Sequence, residues 1–292
     1  LPSVVREYGL TWEMLPTEAL NRREVWEALL DGGQGSGGVP LGALMRQLPR
    51  LTRIGVIAPM AEATERIAAR LTDPEALRKA RIHPLAVLVA LRTYASGRSL
   101  RGEATWTPVQ RIVDALDEAF YASFGAVEPA GKRTLIALDV SGSMSFGQVA
   151  GMPLTPREAS AALALVLAAT EPATHIIGFT GGGRQYAPPG ARRVRTAGWG
   201  TYSQHVSELR ISPRMRLDDA VREVSDLPFG ATDCSLPMLY ALERRLEVDT
   251  FVVITDNETW AGGIHPHEAL ARYRSQMGID AKLAVMATSA TS

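Results

Sequence analysis

The chain has 292 residues, 46% apolar and 21% charged, and its 31 Lys plus Arg are balanced by 31 Asp plus Glu. Zero net charge excludes a strongly basic nucleic-acid binder as a description of the whole chain, although local patches remain open, and the length suits two domains, each with its own core. The single cysteine, Cys234, excludes an internal disulfide and favours a reducing cytoplasm; the longest apolar run, Ala161 to Ala169, falls far short of the roughly 20 residues of a membrane span, so a soluble, cytoplasmic monomer without membrane contact is expected.

The abrupt beginning at Leu1-Pro2 and the end at Ala290-Thr291-Ser292 suggest a piece of a longer protein. From residue 16 to about 125 the pattern is helix after helix. Thr17 is a candidate N-cap for a helix carrying Leu20, Trp26 and Leu29-Leu30. Leu41, Leu44, Met45 and Leu48 form one apolar stripe at helical spacing. Asp73-Pro74-Glu75 reads as a cap, a proline in the first turn and a first-turn acid. His83-Pro84 opens a helix through Leu85, Leu88, Val89 and Tyr94, which Gly97 can end. Thr107-Pro108 opens another, through Ile112, Leu116, Ala119 and Phe120 to Gly125. Such a series on short loops predicts an α-helical bundle or solenoid over 1–130.

After Glu128-Pro129-Ala130-Gly131 the pattern becomes alternating strand and helix. Strands are predicted at Thr134–Leu138, His175–Thr180, Phe251–Ile254 and Lys282–Met286. Helices are predicted at about Thr155–Thr170, Leu236–Leu246 and Glu268–Met277. Gly181 to Met215, rich in Gly, Pro and Arg, suits irregular surface around a short edge strand. Near-continuous apolar strands separated by helices predict a doubly wound parallel sheet over 131–292.

Three loops carry the chemistry. Asp139-Val140-Ser141-Gly142-Ser143 lies where the first strand runs out, the edge at which open α/β sheets bind ligands. Gly230-Ala231-Thr232-Asp233-Cys234 precedes a helix, and Thr255-Asp256-Asn257 follows an apolar strand. Asp139, Ser141, Ser143, Thr232 and Asp256 thus offer five oxygens at one edge. An all-oxygen set suits a hard divalent cation, Mg²⁺ first, with Ca²⁺ or Mn²⁺ as alternatives. Capping of turns is the bland reading of the same residues.

These loops, in this order, resemble the metal-ion-dependent adhesion site of von Willebrand factor A domains. That resemblance implies that Ser141, Ser143 and Thr232 ligate the ion and that Asp139 and Asp256 contact it directly or through water. Further motifs resemble the Ro autoantigen family: Tyr8-Gly9-Leu10-Thr11-Trp12-Glu13-Met14-Leu15-Pro16, Leu44-Met45-Arg46-Gln47-Leu48, Ile82-His83-Pro84, Trp106-Thr107-Pro108 and Ala115 through Tyr121 in the first half. Thr232 through Met238, Thr255 through Thr259, Gly262-Gly263-Ile264-His265-Pro266 and Tyr273-Arg274 continue it in the second. The resemblance implies the C-terminal part of a TROVE module of HEAT-like repeats, followed by a Rossmann-like A domain that stops before its expected last strand and helix. It implies an RNA chaperone of bacterial type that binds small noncoding Y RNA and the ends of misfolded RNA, linked through RNA to an exoribonuclease.

Residues 46–101 hold 11 basic groups against four acids, an excess hidden by the neutral total. Arg46, Arg50 and Arg53 recur near helical spacing, and Arg78, Lys79, Arg81 and His83 cluster at a helix junction. Such groups suit phosphate contacts, or a solvated face with arginines paired across helices. Arg92, Arg98 and Arg101 carry a weaker claim, and Arg184, Arg192, Arg193 and Arg195 read as loop surface. Gly33-Gln34-Gly35-Ser36-Gly37-Gly38 fits G-x-G-x-x-G but follows a helix, so it reads as a loop. His265-Pro266-His267-Glu268 lacks further metal ligands and reads as a helix start, and Cys234 reads as a small buried residue. Trp26, Trp106, Phe120 and Tyr121 read as helical core. A noncatalytic RNA-binding protein is the leading expectation. The rivals are a module whose metal captures an acidic side chain of a protein partner, and a metal-dependent phosphodiesterase, for which more converging carboxylates are needed.

Overall fold

The computed structural model describes residues 1–31, 39–100, 102–181, 200–227, 230–256 and 262–288. The chain folds as two units, Leu1–Val127 and Glu128–Ser292. The first is helical: α1 (Pro2–Glu7), α2 (Arg23–Leu30), α3 (Leu41–Arg53), α4 (Glu62–Thr72), α5 (Pro74–Lys79), α6 (Pro84–Ala95) and α7 (Gln110–Ala122). The α3 stripe of Leu41, Leu44, Met45 and Leu48 is buried as its period requires, and α3 packs on α4 and α6, which both pack on α7. The Asp73 carboxylate caps α5 by accepting from Glu75 N at 2.9 Å, while the His83 ring caps α6 through Nδ1, accepting from Leu85 N at 3.2 Å.

Several helix limits differ from expectation. Thr17 caps nothing: a short 3₁₀ turn, Ala19–Asn21, precedes α2, because Trp26 Nε1 donates to Leu20 O at 2.7 Å and holds that turn back against the helix. Thr107-Pro108 is extended, with α7 starting two residues later; Tyr94 Oη accepts from Val109 N at 3.1 Å and fixes this entry. Trp106 accordingly lies outside any helix, half-buried, its ring stacked on Tyr94 and its Nε1 on Tyr94 O at 2.9 Å. Tyr121 is half-buried, whereas Trp26 and Phe120 are core. A 3₁₀ turn, Ser123–Ala126, ends the run in place of a glycine cap.

The second unit contains β1 (Arg133–Asp139), α8 (Pro156–Thr170), β2 (Ala173–Phe179), β3 (Val206–Glu208), α9 (Leu217–Ser225), α10 (Leu236–Glu243), β4 (Thr250–Thr255), α11 (Pro266–Met277) and β5 (Lys282–Ala287). Strand order is β3-β2-β1-β4-β5, parallel except for the short antiparallel edge strand β3. Leu135, Ala137, Ile177, Phe179, Phe251 and Val253 form one buried face with residues of α10 and α11, such as Met238 and Tyr273. The alternate residues Ile136, Leu138, Ile176, Val252 and Ile254 are buried on the other face, where α8 packs and α9 packs on α8. Helix α8 buries Ala159, Ala161, Ala162, Ala164 and Ala168 together with Leu165 and Val166. On the open side β5 is exposed, Val285 by 53%. Among the described residues no helix is long and apolar enough to cross a membrane.

Helix α9 has no counterpart in the sequence reading above; its buried Leu217, Ala220 and Val224 give a legible but short stripe after a loop-like segment. Helix α10 stops at Glu243, short of Leu246, as the chain turns through Arg245 at φ 53°.

Candidate metal centre

From β1 the chain passes through α8 to β2 on one side, whereas β4 lies on the other. The carboxyl ends of β1 and β4 therefore bound a topological switch point, where a crevice opens in doubly wound sheets. Asp139 is the last residue of β1, and Thr255 is the last of β4. Asp139 is fully buried. Its Oδ1 accepts from Ser141 N at 2.8 Å, and its Oδ2 accepts from Thr255 Oγ1 at 2.7 Å and Thr232 Oγ1 at 3.1 Å. A 3₁₀ turn, Gly142–Ser145, brings Ser143 back beside Ser141, with the two Oγ atoms 3.1 Å apart. Asp256, almost fully buried, follows Thr255 directly, and its charge acts on Asp139.

The three loops thus converge. Asp139, Ser141, Ser143 and Thr232 are joined by direct hydrogen bonds, and Asp256 is coupled to them through the field at Asp139. Ser141, Thr232 and Asp256 are buried while Ser143 is half-buried, so the cluster opens on the Ser143 side. Burial pushes the Asp139 carboxyl up and Asp256 adds to this, whereas hydrogen bonds from Ser141 and Thr255 oppose it. Two acids held together in a buried, hydroxyl-rich setting fit a hard divalent cation, which would relieve both the desolvation and the repulsion.

Residues not singled out by the sequence reading support the cluster. The Thr255 hydroxyl makes the shortest side-chain bond to Asp139; it lies within the Thr-Asp motif, but only the pairing of β1 with β4 reveals its partner. Arg157, buried in the first turn of α8, reaches the backbone of the Asp139 loop. Asp233 accepts from Ser235 N at 2.9 Å and Ser235 Oγ at 2.6 Å, turning the loop into α10, and its carboxylate packs against Gly262, where a β-carbon would collide with it. Burial first, then the surrounding carboxylates, push the Cys234 thiol up to about 12, which removes it as a thiolate nucleophile at neutral pH. His265 and His267 stack at the start of α11, and among the described residues no group of three or more His, Cys, Asp or Glu is placed to hold a metal.

In the helical unit Arg46, Arg53, Arg78, Lys79, Arg81 and His83 are exposed, and Arg50 is half-buried. The two clusters lie near each other: a β-carbon at Gly42 would meet Ile82 Cδ1 at 3.5 Å and Arg46 Nη1 at 3.8 Å. Cross-helix pairing engages other arginines, Arg6 and Arg66 with Asp31 and Arg111 with Glu65. Arg78 pairs with Glu75 at 2.5 Å within α5, which diminishes its claim on phosphate. His83 is the weakest candidate, since Nδ1 already accepts from the backbone and partial desolvation of the ring lowers its pKa. Arg101, Arg184, Arg192, Arg193 and Arg195, the glycine-rich 33–38 segment and Asn257 through Thr259 lie outside the described residues.

Residues 133–292 match the family profile described as Ro60 vWA domain, and residues 7–93 match that of the TROVE domain. A Deinococcus radiodurans protein named RNA-binding protein RO60 is 44% identical over 99% of this chain and 49% of its own length. A Caenorhabditis elegans protein of the same name is 38% identical over 99% of this chain and 40% of its own length. The crystal structure of the Deinococcus radiodurans RO (RSR) protein superposes with a TM-score of 0.82 at 42% identity, covering all of this chain and 53% of that one. The chain therefore spans about half the length of the curated relatives it matches.

Proposed function

Because the chain belongs to the Ro family, carrying a TROVE segment and a Ro60-type von Willebrand factor A domain, we propose that it is an RNA-binding protein whose helical unit contacts RNA and whose A domain holds one divalent cation. The observation that carries the RNA reading is 44% identity, along essentially the whole chain, to a relative named for RNA binding. Local chemistry supports it: Arg46, Arg53, Lys79 and Arg81 are exposed, and no ion pair engages them among the described residues. Cations left unpaired on a surface suit phosphate contacts, each of which releases counterions. In this reading the RNA is of the Y type or the end of a misfolded RNA, and an exoribonuclease is engaged through it.

In the A domain, Ser141, Ser143, Thr232, Asp139 and Asp256 would hold Mg²⁺. The ion would supply a fixed positive charge at the switch point, able to attract water or a carboxylate from a protein partner. Asp139 and Asp256 are two acids among hydroxyls, where two-metal hydrolysis needs more converging carboxylates.

The test is binding of this chain to a structured RNA with a single-stranded tail, titrated between about 50 and 200 mM salt. Affinity should fall linearly with salt on logarithmic axes. Absence of binding at the lowest salt, or affinity indifferent to salt, overturns the RNA reading.

A further inference from the structure

Arg157 is 6% exposed, yet among the described residues its guanidinium hydrogen-bonds to three carbonyls and a hydroxyl and to no acid. Nη2 donates to Ser141 O at 3.0 Å and Val140 O at 3.4 Å, Nη1 to Val224 O at 3.0 Å, and Nε to Ser145 Oγ at 3.0 Å. Burial works against its charge, and the field of Asp139 works for it. What the buried guanidinium supplies is the shape of its fork, which spreads donors in a fixed plane.

What that fork holds is specific. The peptide between Val140 and Ser141 is gripped on both edges: its N–H by Asp139 Oδ1 at 2.8 Å and its carbonyl by Arg157. Since the peptide is planar, fixing both edges fixes its rotation. That rotation sets where the Asp139 carboxylate finds its backbone donor and where the Ser141 side chain departs. The bond to Ser141 O fixes the next peptide as well. The third partner, Val224 O, lies in the last turn of α9, where carbonyls lack helical donors. Eight residues beyond it in sequence stands Thr232, the hydroxyl of the second loop.

We propose that Arg157 is a positioning residue for the cation site: from behind, its guanidinium sets the backbone of the Asp139–Ser145 loop and ties that loop to the α9 end from which the Thr232 loop departs. The proposal rests on the metal reading above. Lysine would keep the charge but not the planar set of donors, and methionine would keep only the apolar stem. Groups that orient ligands without touching the metal typically change affinity by about 10–100-fold when replaced.

The experiment is a Mn²⁺ binding isotherm followed by electron paramagnetic resonance, on the wild type, Arg157→Lys, Arg157→Met and Ser145→Ala. Melting curves in excess chelator report on folding alone. The folded Lys variant should bind Mn²⁺ about 10–100-fold more weakly, and Ser145→Ala, which removes one acceptor and keeps the arginine, should lose less. An arginine with only a structural role would lower the melting temperature in chelator and leave the affinity of the folded protein intact. Binding by folded Arg157→Lys within about twofold of the wild type overturns the proposal; if that variant does not fold, unchanged binding by Ser145→Ala does so. No Mn²⁺ binding by the wild type is a different result, which removes the metal reading itself.

Discussion

Replacing Asp139 with Asn separates the contribution of the proposed cation from that of the fold. The amide is nearly isosteric with the carboxylate, and the Thr232 and Thr255 hydroxyls that now donate to Oδ2 can turn to accept from it. Burial and Asp256 both disfavour the charge that is removed. In chelator the substitution should therefore change stability by no more than about 1 kcal/mol in either direction. With Mg²⁺ at roughly 100 times its dissociation constant the wild type gains about 2.7 kcal/mol, which moves the melting temperature of a unit this size by roughly 5–10 °C. The variant should gain none of this. Differential scanning calorimetry in EDTA and in Mg²⁺, following the transition of the A domain, measures both numbers. An equal Mg²⁺ shift in the two proteins would refute the assignment of Asp139 to the site.

Other consequences are independent of the metal. Replacing Arg46, Arg50 and Arg53 together with Gln should flatten the salt dependence of RNA binding by roughly 2–3 units of slope; an unchanged slope would show that α3 does not meet phosphate. Gly178→Ala would place a β-carbon 2.7 Å from Leu227 Cδ1 and 3.1 Å from Val140 Cγ1, so urea denaturation should show a loss of about 1–3 kcal/mol, and an unmoved midpoint would contradict the packing beneath the site. Hydrogen bonds from Arg133 hold the Asp249 carboxyl down at about 2, against an ordinary value of 3.8. A depressed carboxylate stabilises fully above the ordinary value and loses that contribution as pH falls through the folded one. Asp249→Asn should therefore be less stable than the wild type at neutral pH, with the difference closing on acidification between 3.8 and about 2; a gap independent of pH would argue against the pair.

Most of the sheet was legible because β1, β2 and β4 are apolar runs bounded by turns, and runs of that kind survive as buried parallel strands. The convergence of the three loops was legible for a related reason: Asp139 and Thr255 sit where such runs end, and strand ends set where loops meet before any side chain is placed. What was not legible lies across the fold. Trp26 holding Leu20 and Tyr94 holding Val109 move helix starts by contacts that no local cap announces. Arg157 looks like any first-turn residue of a helix until α8 is laid against β1, and only then do its partners 16 and 67 residues away come into reach. Arg78 shows the converse: its local sequence suits a basic patch, but Glu75, one turn away, pairs with it on the same helix.

The most direct test of the account is anomalous diffraction from crystals of this chain soaked in Mn²⁺. A single peak enclosed by Ser141, Ser143, Thr232, Asp139 and Asp256 is the result expected. A peak elsewhere, with the hydrogen bonds among Asp139, Ser141, Ser143 and Thr232 intact, would contradict it.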